Sequence, residues 1–416
     1  MNPEVVLSDK QTEAVQSNAD TVIVAAAAGS GKTRVLTEKI IFEVLERSVP
    51  MHRIAAITYT NKAADEMRIR LMEGFKKRGR ADLARQVHHA QIMTIHAFAL
   101  DILKKYSIDA SLDPGFGIIE DIDYQIMLDR AINEALSDIS RNDSAKSSVL
   151  NRFAEHYQIK KALKTAYEEW GTSGIHPHSV ETAQSELDER VSALVEMLTD
   201  AAQEHQDGLI DMQRIQKIKS SAPESLFEQL ILLLSEIQSS TKRYLTPVKE
   251  ECRSVISLAA DREASEVKNI LVNLTEGIHR RAEEIKQQLN RISINDQINK
   301  LIEIMDNSEV ADEISGLYDW VMVDEFQDVN PAQYKLIIRI ASCSRKFFVG
   351  DVRQSIYGFR HADCSIFAGL NQHPEEKTAV INLDENYRSS PDLISRVNQV
   401  YGKESCYDGL PFGCVR

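Results

Sequence analysis

The segment that most constrains this chain is residues 21–33, TVIVAAAAGSGKT. It opens as a short β-branched apolar run, turns at Gly29 and Gly31, and passes into helical text from Lys32 to about Leu45, ahead of Pro50. A buried strand that breaks into a glycine loop and then a helix aims backbone N–H groups and a helix N-terminus at one point. That arrangement suits a phosphate. In this reading Ala28, Gly29, Ser30 and Gly31 form the cradle. Lys32 reaches the β- and γ-phosphates of a nucleoside triphosphate and Thr33 ligates Mg²⁺. The first glycine of the strict pattern is replaced by Ala26. An ordinary tight strand-to-helix turn is the alternative, and the flanking context argues against it.

Two further apolar runs end in chemistry-bearing residues. Residues 318–323 (YDWVMV) lead into Asp324-Glu325-Phe326-Gln327-Asp328. A carboxylate at the C-terminal end of a parallel strand is where such sheets present ligand groups. Asp324 is the candidate Mg²⁺ ligand and Glu325 the candidate base for an attacking water; a solvated acidic turn is the plainer reading. Residues 346–350 (KFFVG) lead to Gly350-Asp351-Val352-Arg353-Gln354, where Gln354 is of the right type to sense a γ-phosphate or its water. Together these residues specify a nucleoside triphosphatase and do not by themselves specify a motor.

Strand text at 53–60 and 91–95, with an amphipathic helix from Asn61 to about Lys77, continues the alternation begun at residue 21. This is the pattern of an α/β protein with a parallel sheet. The rhythm stops near residue 107 and returns at Tyr318. Residues 107–317 read as a large helical insertion between strands of one sheet. No proline falls between Pro247 and Pro331, and Val267, Leu271, Leu274, Ile278, Ile285, Leu289 and Ile292 form a stripe with a gap at Arg281. The stripe predicts a long amphipathic helix or a helical hairpin, with the apolar face packed.

The formal net charge of −14 at first disfavours a nucleic-acid partner. The acid is unevenly placed: residues 1–106 carry 16 Lys/Arg against 12 Asp/Glu, and residues 107–317 carry 22 against 38. Phosphate contact needs a local basic groove and not a basic average, so composition neither supports nor excludes DNA. Five scattered cysteines form no CxxC pair, which fits a reducing cytoplasm and argues against a zinc module. No apolar run is long enough for a membrane span, and the start of the chain has no signal-like pattern.

With these motifs in order, the chain resembles superfamily 1 DNA helicases of the UvrD/Rep/PcrA type and their AddA and RecB relatives, over about residues 7–106 and 318–400. Leu7-Ser8-Asp9-Lys10-Gln11 resembles the adenine-reading segment, and Gln11 matches its glutamine. Arg34 follows the phosphate loop as in many members. Thr58-Tyr59-Thr60-Asn61-Lys62 and Thr94-Ile95-His96 resemble motifs that touch single-stranded DNA, which implies contacts from Tyr59, Asn61, Thr94 and His96. The run VDEFQDVN at 323–330 is similar to the second motif, and Gln354-Ser355-Ile356-Tyr357-Gly358-Phe359-Arg360 to the third, which implies DNA contact from Tyr357, Phe359 and Arg360. Rings that stack on any base suit sequence-independent movement. Core packing is the alternative for both rings, and a structural histidine is the alternative for His96. In Leu383-Asp384-Glu385-Asn386-Tyr387-Arg388-Ser389 the resemblance implies that Tyr387 stacks on adenine and Arg388 contacts the γ-phosphate.

Ala27 in place of a common glycine, the size of the insertion and the segment after Arg360 lean toward the AddA or RecB type. The resemblance implies a RecA-like motor domain built from 1–106 and 318–380. It also implies a helical insertion over 107–317 and, at 381–416, only the start of a second RecA-like domain. The expected activity is ATP-dependent translocation on single-stranded or tailed duplex DNA, 3′ to 5′, in repair or recombination. The alternatives are an ATP- and DNA-binding module with negligible turnover until a partner completes it, and a subunit that docks a protein through its acidic helices. A partner could supply the other motor half or a nuclease.

Overall fold

The computed structural model describes residues 7–173, 184–205, 210–220, 223–238, 240, 242, 244–358 and 361–401. Its eight strands are β1 (Thr21–Ala26), β2 (Ile54–Thr58), β3 (Gln91–Thr94), β4 (Gly117–Ile118), β5 (Arg291–Ile292), β6 (Trp320–Val323), β7 (Arg345–Gly350) and β8 (Thr378–Leu383). Six of them form one sheet in the order β3-β2-β6-β7-β1-β8, and every pairing in it is parallel. Both faces of this sheet are covered, as a parallel sheet requires. Ile23, Ala55, Ile57, Val321, Val323 and Phe348 enter one apolar cluster. The alternate residues Val22, Val24, Ile54, Ala56, Trp320, Met322, Phe347 and Val349 enter the other. That is why the strand texts read as unbroken apolar runs. The α/β parallel-sheet architecture with a large helical insertion is thus the fold observed.

Three boundaries differ from those expected. Residues 107–124 and 284–317 do not belong with the helical insertion: the chain divides into one compact unit of residues 1–124, 168–175 and 284–416, and a second of 125–167 and 176–283. The reason is burial. Ile298, Leu301, Ile302, Val310 and Ile314, on helices Ile294–Ile304 and Ser308–Ser315, are packed into the same cluster as the sheet. The short β4 and β5 pair in parallel beside them. The expected break at 380/381 also falls inside β8. Val380, Ile381, Asn382 and Leu383 pair with Ile23, Val24, Ala25 and Ala26 of β1, so the sheet runs on through Leu383.

The long stripe falls on one continuous helix of 44 residues, Leu245–Gln288, and not a hairpin; its residues up to 283 belong to the second unit and the rest to the first. Leu274 and Ile278 on it are buried, whereas Leu289, just past its end, is 51% exposed. Ile292 has left the helix for β5. Arg281, the gap in the stripe, donates to Asp138.

One buried charge in the first unit carries no signal in the sequence. Lys39, in the helix Lys32–Glu46, is fully buried. Its Nζ lies 2.8 Å from Glu43 Oε1 and donates to the carbonyls of Val15 (3.0 Å) and Ser17 (2.9 Å), with the Trp320 ring 4.5 Å away. Those carbonyls close the helix Asp9–Gln16, where a cation complements both the orphan acceptors and the helix dipole. Burial lowers the Lys39 pKa, and the hydrogen bond and charge of Glu43 oppose that shift. Removing Lys39 leaves the buried Glu43 with Arg47 alone, 3.0 Å away, and takes the donor from the Val15 and Ser17 carbonyls. Lys39→Ala is therefore expected to cost about 3–5 kcal/mol of stability, measured by urea unfolding. A loss within the surface range of about 0–1 kcal/mol would show that the pair is not structural.

Candidate active site

The ends of β1, β6, β7 and β8 meet along one edge of the sheet, and the chemistry-bearing residues follow directly from them. Ligands in open parallel sheets sit at this edge. After β1 the chain turns at Gly29 (φ 74°) and Gly31 (φ 86°), a left-handed backbone that glycine adopts without strain. Gly31 caps the helix Lys32–Glu46, so the first free N–H groups of that helix face the loop. Ser30 is 1% exposed, and its hydroxyl has no hydrogen-bond partner among the described residues.

Lys32 is nearly buried, and its Nζ donates to Glu325 Oε2 at 2.8 Å and to Gln354 Oε1 at 3.2 Å. Thr33 Oγ1 lies 3.5 Å from Asp324 Oδ2. Residues from three separate motifs, Lys32 and Thr33, Asp324 and Glu325, and Gln354, therefore converge. Burial, reinforced by the neighbouring charge of Glu325, pushes Asp324 up to about 6; the same two causes, in the same order, raise Asp328 to about 6. A buried carboxylate in this condition favours a cation beside it. The Thr33 hydroxyl and the Asp324 carboxylate are hard oxygen donors. Among the described residues no group of three or more His, Cys, Asp or Glu could hold a metal. Few protein ligands suit Mg²⁺, which keeps its waters and takes the rest of its shell from phosphates. The residues present fit that ion.

Glu325 itself stands at φ 51°, in the left-handed region. Beside it the buried Gln327 donates to Glu325 Oε2 (2.9 Å) and Asp328 Oδ2 (3.3 Å) and accepts from the Asp351 N–H (2.8 Å). Gln354 in turn donates to Asp351 Oδ2 at 2.8 Å. Residue type and spacing assign no role to Gln327, Asp328 or Asp351. They sit within the quoted motifs, but only the fold shows that they are buried together.

Gln11 is 2% exposed and its amide is already engaged. It donates to the Ser30 carbonyl (2.9 Å) and accepts from the Ser8 N–H (3.1 Å) as half of a capping box, a pairing that Ser8-x-x-Gln11 could have announced. Tyr387, 57% exposed, shares a narrow cleft with Ser8, Lys10, Gln11, Ser30 and Glu385, and its hydroxyl donates to Glu385. Arg34 is half-buried in the first turn of the helix Lys32–Glu46, and Arg388 is exposed with its Cβ near Gly29.

On the DNA side of the expectation, Tyr59 and Tyr357 are not separate: their rings stack on one another, centroids 4.8 Å apart and planes 27° off parallel. Asn61 is exposed at the start of the helix Asn61–Lys77. The Thr94 hydroxyl accepts from the Ala97 N–H and caps the helix Ile95–Lys105. Burial lowers the pKa of His96, which favours its neutral form. Phe359 and Arg360 lie outside the described residues.

A family model described as the UvrD/REP helicase N-terminal domain matches residues 7–375. The chain belongs to the UvrD/REP helicase family. Among curated proteins it is similar to a subunit of the ATP-dependent helicase/nuclease of Syntrophomonas wolfei (25% identical, 94% of this chain and 37% of the relative). It is also similar to the proteins of the same name in Staphylococcus haemolyticus (26%, 95% and 39%) and Staphylococcus aureus (24%, 95% and 39%). The chain thus spans well under half the length of these relatives. This likeness agrees with the lean toward the AddA type. Among the described residues no helix is long and apolar enough to cross a membrane.

The phosphate loop can be tested directly. Lys32→Ala removes a charged donor and little packing. It is expected to weaken binding of a fluorescent Mg-ATP analogue by roughly 10- to 100-fold while the far-UV dichroism stays that of the parent. Unchanged affinity would take Lys32 out of the site.

Proposed function

We propose that this chain is the ATP-binding motor portion of an ATP-driven DNA translocase or helicase. Its track is single-stranded or tailed duplex DNA, its direction 3′ to 5′, and its setting DNA repair or recombination in the cytoplasm. The observation that carries this reading is the continuity between two kinds of group. Lys32, Glu325 and Gln354 meet within 3.2 Å, and three residues past Gln354 lies Tyr357, stacked on Tyr59. A plain nucleotide-binding site has no need of paired, half-exposed aromatic rings three residues past the glutamine that meets its phosphate-loop lysine, whereas a motor must couple the two.

In the hydrolytic step Glu325 accepts the proton of the attacking water as its oxygen bonds to the γ-phosphorus. The bond to the β,γ-bridging oxygen breaks, and ADP leaves with that oxygen. Lys32, and Arg388 from the segment after β8, face the charge on the transferring group. Thr33 and Asp324 would hold Mg²⁺, which supplies neutralisation of the β- and γ-oxygens. Tyr387 covers the base, and Gln11, whose amide is committed to Ser8 and Ser30, acts on the base through the loop it braces. Tyr59, Asn61, Thr94, His96, Tyr357, Phe359 and Arg360 form the proposed strand-contacting set. The relatives are named as one subunit of a helicase/nuclease, which supports a second protein as the partner of this chain too.

Two substitutions separate chemistry from grip. Glu325→Gln keeps volume and nucleotide binding but removes the base, so single-turnover hydrolysis should fall roughly 10²- to 10⁴-fold. Loss of ATP binding with an unaltered rate per bound ATP would assign Glu325 a different role. Tyr357→Ala should weaken single-stranded DNA binding by about 1–3 kcal/mol, with little dependence on base sequence. Fluorescence anisotropy with homopolymer oligonucleotides reads this directly. Parental affinity in a variant that melts like the parent would return the ring to a packing role.

A further inference from the structure

Beyond β8 the chain stays fastened to the phosphate loop, residue by residue. The Ala27 N–H donates to the Leu383 carbonyl at 3.0 Å, and the Tyr387 N–H donates to the Gly29 carbonyl at 2.8 Å. Between them the Asn386 side chain donates through Nδ2 to the Ala28 carbonyl at 2.7 Å. The β1–β8 ladder is in this way prolonged past its last strand pair, with a side-chain amide standing in for a backbone donor. A loop whose N–H groups turn inward toward phosphate leaves its carbonyls facing outward in need of donors. Asn386 supplies one.

The other end of the same amide fixes the next turn of the chain. Asn386 Oδ1 accepts from the N–H groups of Arg388 (2.9 Å) and Ser389 (3.0 Å), closing an Asx-type turn. The approach is tight: a Cβ built on Gly29 would sit 2.7 Å from Asn386 Oδ1 and 2.9 Å from Arg388 Cβ. Gly29 is thus required twice, for its φ of 74° and for this contact.

We propose that Asn386 is a positioning residue. It ties the backbone of Arg388 to the Ala28 carbonyl, so that the phosphate loop itself sets where the guanidinium stands relative to a γ-phosphate. This rests on the ATP-binding reading above. Only an amide can do both parts. An aspartate keeps the acceptor for Arg388 and Ser389 but turns an oxygen toward the Ala28 carbonyl, and alanine loses both ends.

The test is γ-phosphate discrimination, read as the ratio of ADP to ATPγS dissociation constants by calorimetry on the 416-residue chain. Asn386→Ala and Asn386→Asp should each lower that preference by roughly 3- to 10-fold. Arg388→Ala should lower it as well, and Asn386→Ala added to Arg388→Ala should change it no further, because the first residue acts through the second. Melting temperatures of all variants are recorded, and Asn386→Asp, which retains the turn, stands in if the alanine variant unfolds. A parental preference in Asn386→Asp would overturn the link to Ala28. An equal loss in the Arg388→Ala background would overturn positioning through Arg388. Lys32→Ala is run alongside: if it leaves both nucleotides bound as tightly as the parent, the phosphate-loop reading fails, a result distinct from failure of the Asn386 proposal.

Discussion

The side-chain amide of Gln327, 1% exposed, holds the ends of β6 and β7 in one piece. Its nitrogen serves Glu325 and Asp328, its oxygen takes the Asp351 N–H, and its main-chain carbonyl takes the Ser355 hydroxyl at 3.3 Å. Gly350 makes room for it: a Cβ there would lie 2.8 Å from Gln327 Oε1 and 3.0 Å from the Phe367 ring. An unpaired amide in so dry a place would cost about 1–3 kcal/mol, so the site is stable only with these partners in register. Glu325 is aimed by this network and by its own left-handed backbone, and both constraints hold it beside Lys32.

A second buried charge sits behind the site. Lys32 and Lys39 lie on one helix two turns apart. The first faces the strand ends and the second faces the floor of the sheet against Trp320. Lys39 anchors the last turn of the helix Asp9–Gln16, while Gln11 near its start braces the Ser30 carbonyl. The exposed pair Lys10–Asp384, 3.0 Å apart, adds a surface tie between the same helix and the loop after β8. Exposed pairs of this kind contribute little, so the buried lysine and the buried glutamine set where that helix lies.

The sheet was legible because each central strand is buried on both sides and therefore reads as an unbroken apolar run. The expected helix from Asn61 to Lys77 matches its observed span, since Ala64, Met67 and Leu71 mark one face and Thr60 caps the start. The boundaries were less legible. Helices Ile294–Ile304 and Ser308–Ser315 carry ordinary amphipathic text, and nothing local says which core receives their apolar faces. The last strand, β8, is cut by the expected boundary at 380/381, because its parallel pairing with β1 is a long-range fact. Of the site, the residue types were legible and their mutual contacts were not. Gln11 and Thr94 each carry a polar group that the structure commits to a cap, and the stack of Tyr59 on Tyr357 joins residues nearly 300 positions apart in sequence.

That stack bears on how hydrolysis could reach DNA. From Asp351 to Ser355 the chain makes a single 3₁₀ turn, with the Asp351 side chain accepting from the Arg353 N–H and from Gln354 Nε2. Ser355 is held to both Val352 and Gln327. A turn fixed at so many points moves as a body and does not bend internally. Any change in the company of the Lys32 ammonium that releases Gln354 Oε1 must then be taken up either by the whole turn or by the residues just past it. Tyr357 is among those, and its ring rests on Tyr59, which follows directly from β2. The stack therefore joins the turn after β7 to the end of β2. In the proposed motor, a base lying against it would be linked to the nucleotide site through packed and hydrogen-bonded groups with no long lever between.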